Sequence, residues 1–414
     1  MDTSFGLMYD AEKHIDLRTK EQAMAATIDA GRKPARFVEL DALRGLAALL
    51  VVLHHLRLLW ETDAEPTSRG LHLLLSSLNP AGNASVILFF VLSGFVLSLP
   101  AISGRPQSYL TFAIRRVFRI YVPYLAALAA AVAGAYWLHG IITRSVWFHT
   151  LWSEPVDWRL VLQHVLFIGA YNTAQFDNPI WSLVHEMRIS LIFPPLCAVV
   201  LRLKSKWSFV VAIAMSALAG LIQKPPFMVD WPTAASVHYA GFFVFGITLA
   251  RERNNLGAWF LRWPGRFIAV LIGLTLPFLA LYWLDSYGSS NSIETALPYA
   301  SIYIRDWVIA LCAGGLMIIS ISSAACKRVL SWAPIHFLGE VSYSLYLWHV
   351  IVLLYCVHLL YDKIPLPAIL LLVLVLSLAV SWCSYHWIEK PSMELGRKLS
   401  SLRRRSPAEV TAAG

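Results

Sequence analysis

Charge is scarce in this 414-residue chain. Asp, Glu, Lys and Arg make up 14% of it, against roughly 25% in an ordinary soluble domain. With 57% hydrophobic residues, the polar side chains cannot cover a water-soluble surface. Cysteine is sparse and scattered: Cys197, Cys312, Cys326, Cys356 and Cys383 form no CxxC pair, which speaks against a disulfide framework or a zinc site. Neither a Walker loop nor HExxH occurs, so two common nucleotide and metal signatures are missing and no metal is expected. The first 36 residues have no apolar core, so no cleaved signal peptide is expected.

What the chain does hold is apolar sequence in long runs. Ten of them, 42–60, 82–100, 120–138, 179–201, 207–222, 233–250, 267–284, 301–324, 336–361 and 367–388, can cross a hydrocarbon layer of ~30 Å. The expected fold is therefore an all-α, polytopic integral membrane protein with about ten transmembrane helices. With both termini placed in the cytoplasm, 25 of the 34 Lys and Arg fall in cytoplasmic segments and 5 in external loops. The other 4, Arg44, Arg57, Arg188 and Arg305, lie within runs. That is the positive-inside distribution. The net charge of +9 then faces the inner leaflet, with membrane lipid rather than nucleic acid as its partner. The chain divides into a cytoplasmic tail at 1–36, a membrane domain at 37–395 and a basic cytoplasmic tail at 396–414. A short interfacial helix is expected around 159–170, in the external stretch 139–178.

Ionisable groups inside the runs carry the chemistry, because burying them in lipid is costly. In "LRGLAALLVVLHHL", 43–56, Arg44 and His55 are 11 residues apart and share a helix face to within ~20°. His54 points ~80° away, and Arg57 is close enough to the outer end to snorkel. At ~1.5 Å per residue, His55 and His349 (in "HFLGEVSYSLYLWHVIVLLY") each sit ~20 Å above the inner face. Glu186, in "NPIWSLVHEMRISLIFPP", sits ~10 Å below the outer face, and so at the same level. Tyr346 and Ser342 share the His349 face. An imidazole oriented by a nearby carboxylate suits proton abstraction from a hydroxyl; an ion pair of Glu186 with Arg188 or Arg305 is the structural alternative. On the cytoplasmic side, "SYLTFAIRRVFRIYVPY" puts Arg116 and Arg119 on one face. Their guanidinium forks suit phosphates, whether of lipid headgroups or of a nucleotide-like cofactor.

Six segments in order, "LRGLAALLVVLHH", "FFVLSGFVLS", "RRVFRIYVPY", "WSLVHE", "GEVSYSLYLWHV" and "SYHWIEKPSMEL", resemble the acyltransferase-3 family over about residues 37–395. The resemblance implies a multi-pass protein of the bacterial inner membrane that O-acylates a glycan or lipid-linked oligosaccharide, within envelope polysaccharide biosynthesis. The implied donor is cytoplasmic acyl-CoA, usually acetyl-CoA. Carried over residue by residue, the family pattern assigns catalysis to His55, Arg44 and Glu186 and coenzyme A phosphates to Arg116 and Arg119. Ser182, Tyr346 and His349 surround the reacting groups. Two positions depart from the pattern: 83–85 reads Asn-Ala-Ser where glycines are common, and Ile189 stands where an aromatic is common. A permease for a lipid-linked sugar or small anion is the alternative, although no repeated halves are visible.

Overall fold

The computed structural model describes residues 37–63, 81–140, 142–167, 171–263 and 300–402. Among them all regular structure is helical, in agreement with the expected class. The longer helices are α1 (Val38–Asp63), α2 (Ala81–Ile102), α3 (Tyr109–Arg116) and α4 (Val122–Leu138), followed by α5 (Trp158–Leu166), α6 (Ile180–Arg202), α7 (Ser205–Ile222) and α8 (Trp231–Arg262). Then come α9 (Ala300–Ser322), the short α10 (Ala324–Leu330), α11 (Ala333–Leu360), α12 (Leu366–Ser384) and α13 (Lys390–Leu402). Two π turns, Val117–Tyr121 and Tyr385–Glu389, join α3 to α4 and α12 to α13 without a break. Nine stretches among the described residues are long and apolar enough to span a membrane; the run expected at 267–284 lies outside the described residues.

Two boundaries differ from the sequence reading. The third span begins at Tyr109, where the Ser108 hydroxyl accepts the Thr111 N–H and caps the helix. The arginines at 115–119 are therefore inside a continuous helix rather than ahead of one. The sixth runs to Arg262 instead of stopping at 250. No proline interrupts "RERNNLGAWFLR", and Arg251 is held by donating to the Leu203 carbonyl (2.7 Å) beyond the end of α6. A short helix, expected around 159–170, is present as α5, and residues 168–170 lie outside the described residues.

Contacts fix the helix directions. Gly45 meets Gly339, and ten residues further along each chain His55 meets His349, so α1 and α11 run parallel. Tyr343 bonds the Ile120 carbonyl and Tyr355 the Ala130 carbonyl, which makes α4 parallel to them. Phe90 stacks on Tyr239, and Gly94 abuts Phe243, so α2 and α8 are parallel to each other. α2 opposes α1, since Gly82 packs on His54 while Ser93 meets Glu186, which is within electrostatic reach of Arg44 near the start of α1. The end of the bundle where α1 begins is called lower below, and the end where it finishes upper.

At the Gly45 contact a Cβ would fall 2.3 Å from the Gly339 backbone nitrogen and 2.4 Å from the Leu338 carbonyl carbon. Backbone cannot step aside as a side-chain tip can. Gly45→Ala should therefore lose about 1–3 kcal/mol by overpacking, and should separate the histidines above it. Gly315, with nothing within 4 Å of an added Cβ, is the control. Thermal unfolding of the purified protein should show a lower Tm for Gly45→Ala and no loss for Gly315→Ala.

Candidate functional site

The upper layer of the site is a pair of imidazoles. His349 Nδ1 lies 3.0 Å from the Leu345 carbonyl oxygen and His55 Nδ1 2.9 Å from that of Val51. A carbonyl only accepts, so both Nδ1 atoms carry hydrogen. His349 Nε2 is then an acceptor, 3.1 Å from His55 Nδ1. The His55 N–H is shared between Val51 and His349, and Nε2 is left as the basic nitrogen of His55. Both rings are buried, at 7% and 1% exposure. Trp147, from the segment between α4 and α5, packs on the His55 ring at 5.2 Å, and the Asn178 side chain reaches the same ring. His54 stands edge-on to His55 at 5.2 Å.

One turn below, Tyr346 and Ser182 share a hydrogen bond of 2.7 Å. Both hydroxyls also reach the Pro179 carbonyl, at 3.4 and 3.1 Å. Phe89 meets the Tyr346 ring edge-on.

The next layer down is charged. Arg116 Nη2 donates to Glu186 Oε1 at 2.7 Å, and its Nε and Nη2 donate to Ser190 Oγ at 3.1 and 2.8 Å. Ser93 Oγ donates to the same Glu186 oxygen at 3.3 Å. Arg44 pairs with Asp41 at 2.9 Å and lies within electrostatic reach of Arg119 and Glu186. Arg119 touches the Met393 sulfur at 3.2 Å. Near it, Glu389 is 2% exposed and accepts from the Ser344 hydroxyl at 2.8 Å. Three guanidiniums thus stand among three carboxylates. Arg119 and Glu389 each sit in a π turn, a helix distortion frequent at functional sites.

Of the residues picked from the sequence, His55, His349, Tyr346 and Ser182 come together in the upper part, and Arg44, Arg116, Arg119 and Glu186 in the lower. Glu186 does not contact His55. Its partner is Arg116 rather than Arg188 or Arg305. Arg188 donates to the Pro232 carbonyl and to Ser236, and Arg305 to Asp306. The level assigned to Glu186 was about 10 Å too high. α6 does not start at the outer surface but inside the bundle, with Ser182 already level with Tyr346. Arg116 is only 8% exposed, with its fork turned to Glu186 and Ser190.

Sequence reasoning missed Ser93, Ser190, Trp147, Asn178 and Glu389. Glu389 was legible as a charge inside the quoted "SYHWIEKPSMEL"; the loop residues carry no periodic signal. A second polar knot ties α2, α7, α8 and α9. In it His238 bonds Asp306 (3.3 Å) and Ser216 (2.8 Å), Asn83 donates to Asp306 (3.0 Å) and Trp307 to Ser216 (2.8 Å). Its groups satisfy one another across four helices, the arrangement of a structural staple. An apolar groove lined by Phe245, Trp259 and Leu311 among others contains none of the site residues.

The sequence profile of the acyltransferase domain, Acyl_transf_3, matches residues 37–386. A candidate peptidoglycan O-acetyltransferase of Bacillus subtilis is 23% identical over 88% of this chain and 56% of its own length. A candidate O-acetyltransferase of Staphylococcus aureus is 24% identical over 90% and 60%. The chain therefore spans a little over half the length of these two relatives. A candidate membrane-bound transacylase of Komagataeibacter xylinus is 25% identical over 91% of this chain and 88% of its own. No solved structure matches.

Removing Arg116 would strand the Glu186 carboxylate in a mostly buried site (side-chain exposures 9% and 20%). Arg116→Ala should therefore cost about 3 kcal/mol or more, and adding Glu186→Gln should recover part of it. Unfolding of the single and double variants measures the coupling, which should be near zero if the pair is a surface contact.

Proposed function

The chain belongs to the acyltransferase-3 family, and from that premise we propose that it is a membrane O-acyltransferase with His55 as its general base. The observation that carries this reading is the commitment of His55 Nδ1–H to Val51 and His349, which leaves Nε2 with a lone pair. In the reaction, Nε2 takes the proton of an acceptor hydroxyl as that oxygen attacks the thioester carbonyl carbon. A C–O bond forms, the C–S bond breaks, and the departing thiolate receives the proton back from the imidazolium. His349 accepts from Nδ1–H throughout and holds the ring in register. The Asn178 side chain beside it supplies a donor for the developing oxyanion. A relay through an acyl-histidine would use the same nitrogen.

The donor is acyl-CoA, with acetyl-CoA favoured by the names of the Bacillus and Staphylococcus relatives, and it enters from the lower end. The positive-inside distribution supports a cytoplasmic location for that end and for both termini, as in a bacterial inner-membrane protein. Arg44 lies ~16 Å below His55 along α1, so phosphates held near the guanidiniums leave the extended pantetheine arm to reach the histidines. Arg119 and Arg44 are the phosphate ligands in this reading, because Arg116 is occupied in holding Glu186. The acceptor is a hydroxyl of a glycan or lipid-linked oligosaccharide arriving from the upper end, and peptidoglycan is the acceptor class named for the Bacillus relative.

His55→Ala should lower acyl transfer by 10²-fold or more while the protein still folds. The assay is purified protein with radiolabelled acetyl-CoA, scored by thioester consumption and label transfer. Near-normal turnover in that variant would sink the proposed base, and flux of a sugar without thioester consumption would mark a permease. Arg119→Ala should raise the KM for acetyl-CoA about tenfold, the effect shrinking as salt rises, with the acceptor KM unmoved. An unchanged donor KM would return Arg119 to a structural role.

A further inference from the structure

The segment 175–179 turns into the top of the bundle. Trp152, fully buried, holds it there: its backbone N–H donates to the Gln175 carbonyl at 3.2 Å and its ring N–H to the Phe176 carbonyl at 2.9 Å. The residues that follow meet the site. Asn178 reaches the His55 ring, and the Pro179 carbonyl takes the Ser182 and Tyr346 hydroxyls. Asp177 lies just before them. It is 1% exposed, and neither of its carboxyl oxygens has a hydrogen-bond partner. The carboxyl is within electrostatic reach of the Tyr124 hydroxyl and of the Tyr346 hydroxyl one turn below His349.

A buried polar group without a partner costs stability, and native proteins keep few of them. No cation among the described residues compensates this one. Burial alone pushes its pKa well above the usual carboxylate range, which favours the uncharged acid. Such a group offers an O–H donor and a carbonyl acceptor on neighbouring atoms. A sugar hydroxyl likewise both donates and accepts, and two neighbouring hydroxyls match the pair. A thioester has no O–H or N–H to give, so the donor's reacting end cannot satisfy it in this way. Trp147, against His55, adds an apolar ring face of the kind that sugar C–H groups cover.

We propose that Asp177 is an acceptor-binding residue: its carboxyl exchanges hydrogen bonds with hydroxyls of the incoming sugar and holds one of them against His55. This deepens the His55 reading and rests on it. Because the group is unsatisfied within the protein, replacing it with an apolar side chain of similar volume should not destabilise the fold. A structural residue would behave in the opposite way.

The test uses the full chain, purified in detergent, with acetyl-CoA as donor. The acceptor is envelope polysaccharide from the host, stripped of its esters by mild base. Asp177→Leu should raise the acceptor KM tenfold or more. The acetyl-CoA KM and the slow hydrolysis of acetyl-CoA without acceptor should stay within twofold of wild type, and Tm should be equal or higher. If Asp177→Leu fails to fold, Asp177→Ala decides by the same split between acceptor and donor KM. An unchanged acceptor KM, or a lower Tm with both KM values altered, overturns the role of Asp177 while the His55 reading stands. Absence of any transfer by the wild-type protein overturns both.

Discussion

Two glycines decide where the imidazoles meet. The backbones of α1 and α11 approach at Gly45 and Gly339 so closely that no Cβ fits between them. Both helices then climb in parallel by the same ten residues to His55 and His349. A larger residue at either glycine would push the axes apart, and a 3.1 Å hydrogen bond between rings cannot follow such a shift. The precision of the upper layer is therefore set well below it, by backbone contact, and the lipid has little part in it. In a bilayer close helix approach of this kind depends on packing and not on a hydrophobic drive, which is why small residues mark such seams.

The same low-polarity surroundings govern the lower layer. Arg44, Arg116 and Arg119 could not persist there as three bare cations, and they sit among Asp41, Glu186 and Glu389. Charge balance of this kind uses up donor capacity. Arg116 is the clearest case, with its fork divided between Glu186 and Ser190. A guanidinium so occupied is a poor candidate for catching a phosphate that must also be released. Sequence spacing made Arg116 and Arg119 look equivalent; their different neighbours make them unequal.

What was legible in the sequence follows from periodicity. Long apolar runs gave the spans, and the 3.6-residue repeat put Arg44 and His55 on one face. Equal climbs from the lower end put His55 and His349 at one height, because α1 and α11 both start there. The same arithmetic failed for Glu186, which was counted from the other surface on the premise that Pro179 lies at that surface. It does not, because the chain ahead of α6 is drawn inward and pinned by Trp152. Inward folding of an irregular segment has no period to betray it. For that reason Asp177 was invisible, as were Asn178 and Trp147, which both meet the His55 ring. The π turns were hidden for a similar reason, since a single extra residue in a helical turn leaves no mark on an apolar pattern.

The partner chosen for His55 has a chemical consequence. A carboxylate in contact with an imidazole in a dry site favours the protonated ring, and a ring already carrying its second proton cannot take one from an alcohol. A neutral histidine orients the ring through one hydrogen bond without holding a proton on it. Glu186 is kept about 10 Å lower and is neutralised by Arg116, so its field at His55 is largely cancelled. Separating the orienting group from the compensating charge keeps the carboxylates of the lower layer out of contact with the imidazoles of the upper one. That separation suits the proposed reaction, in which an anionic donor is held below while an uncharged hydroxyl is deprotonated above.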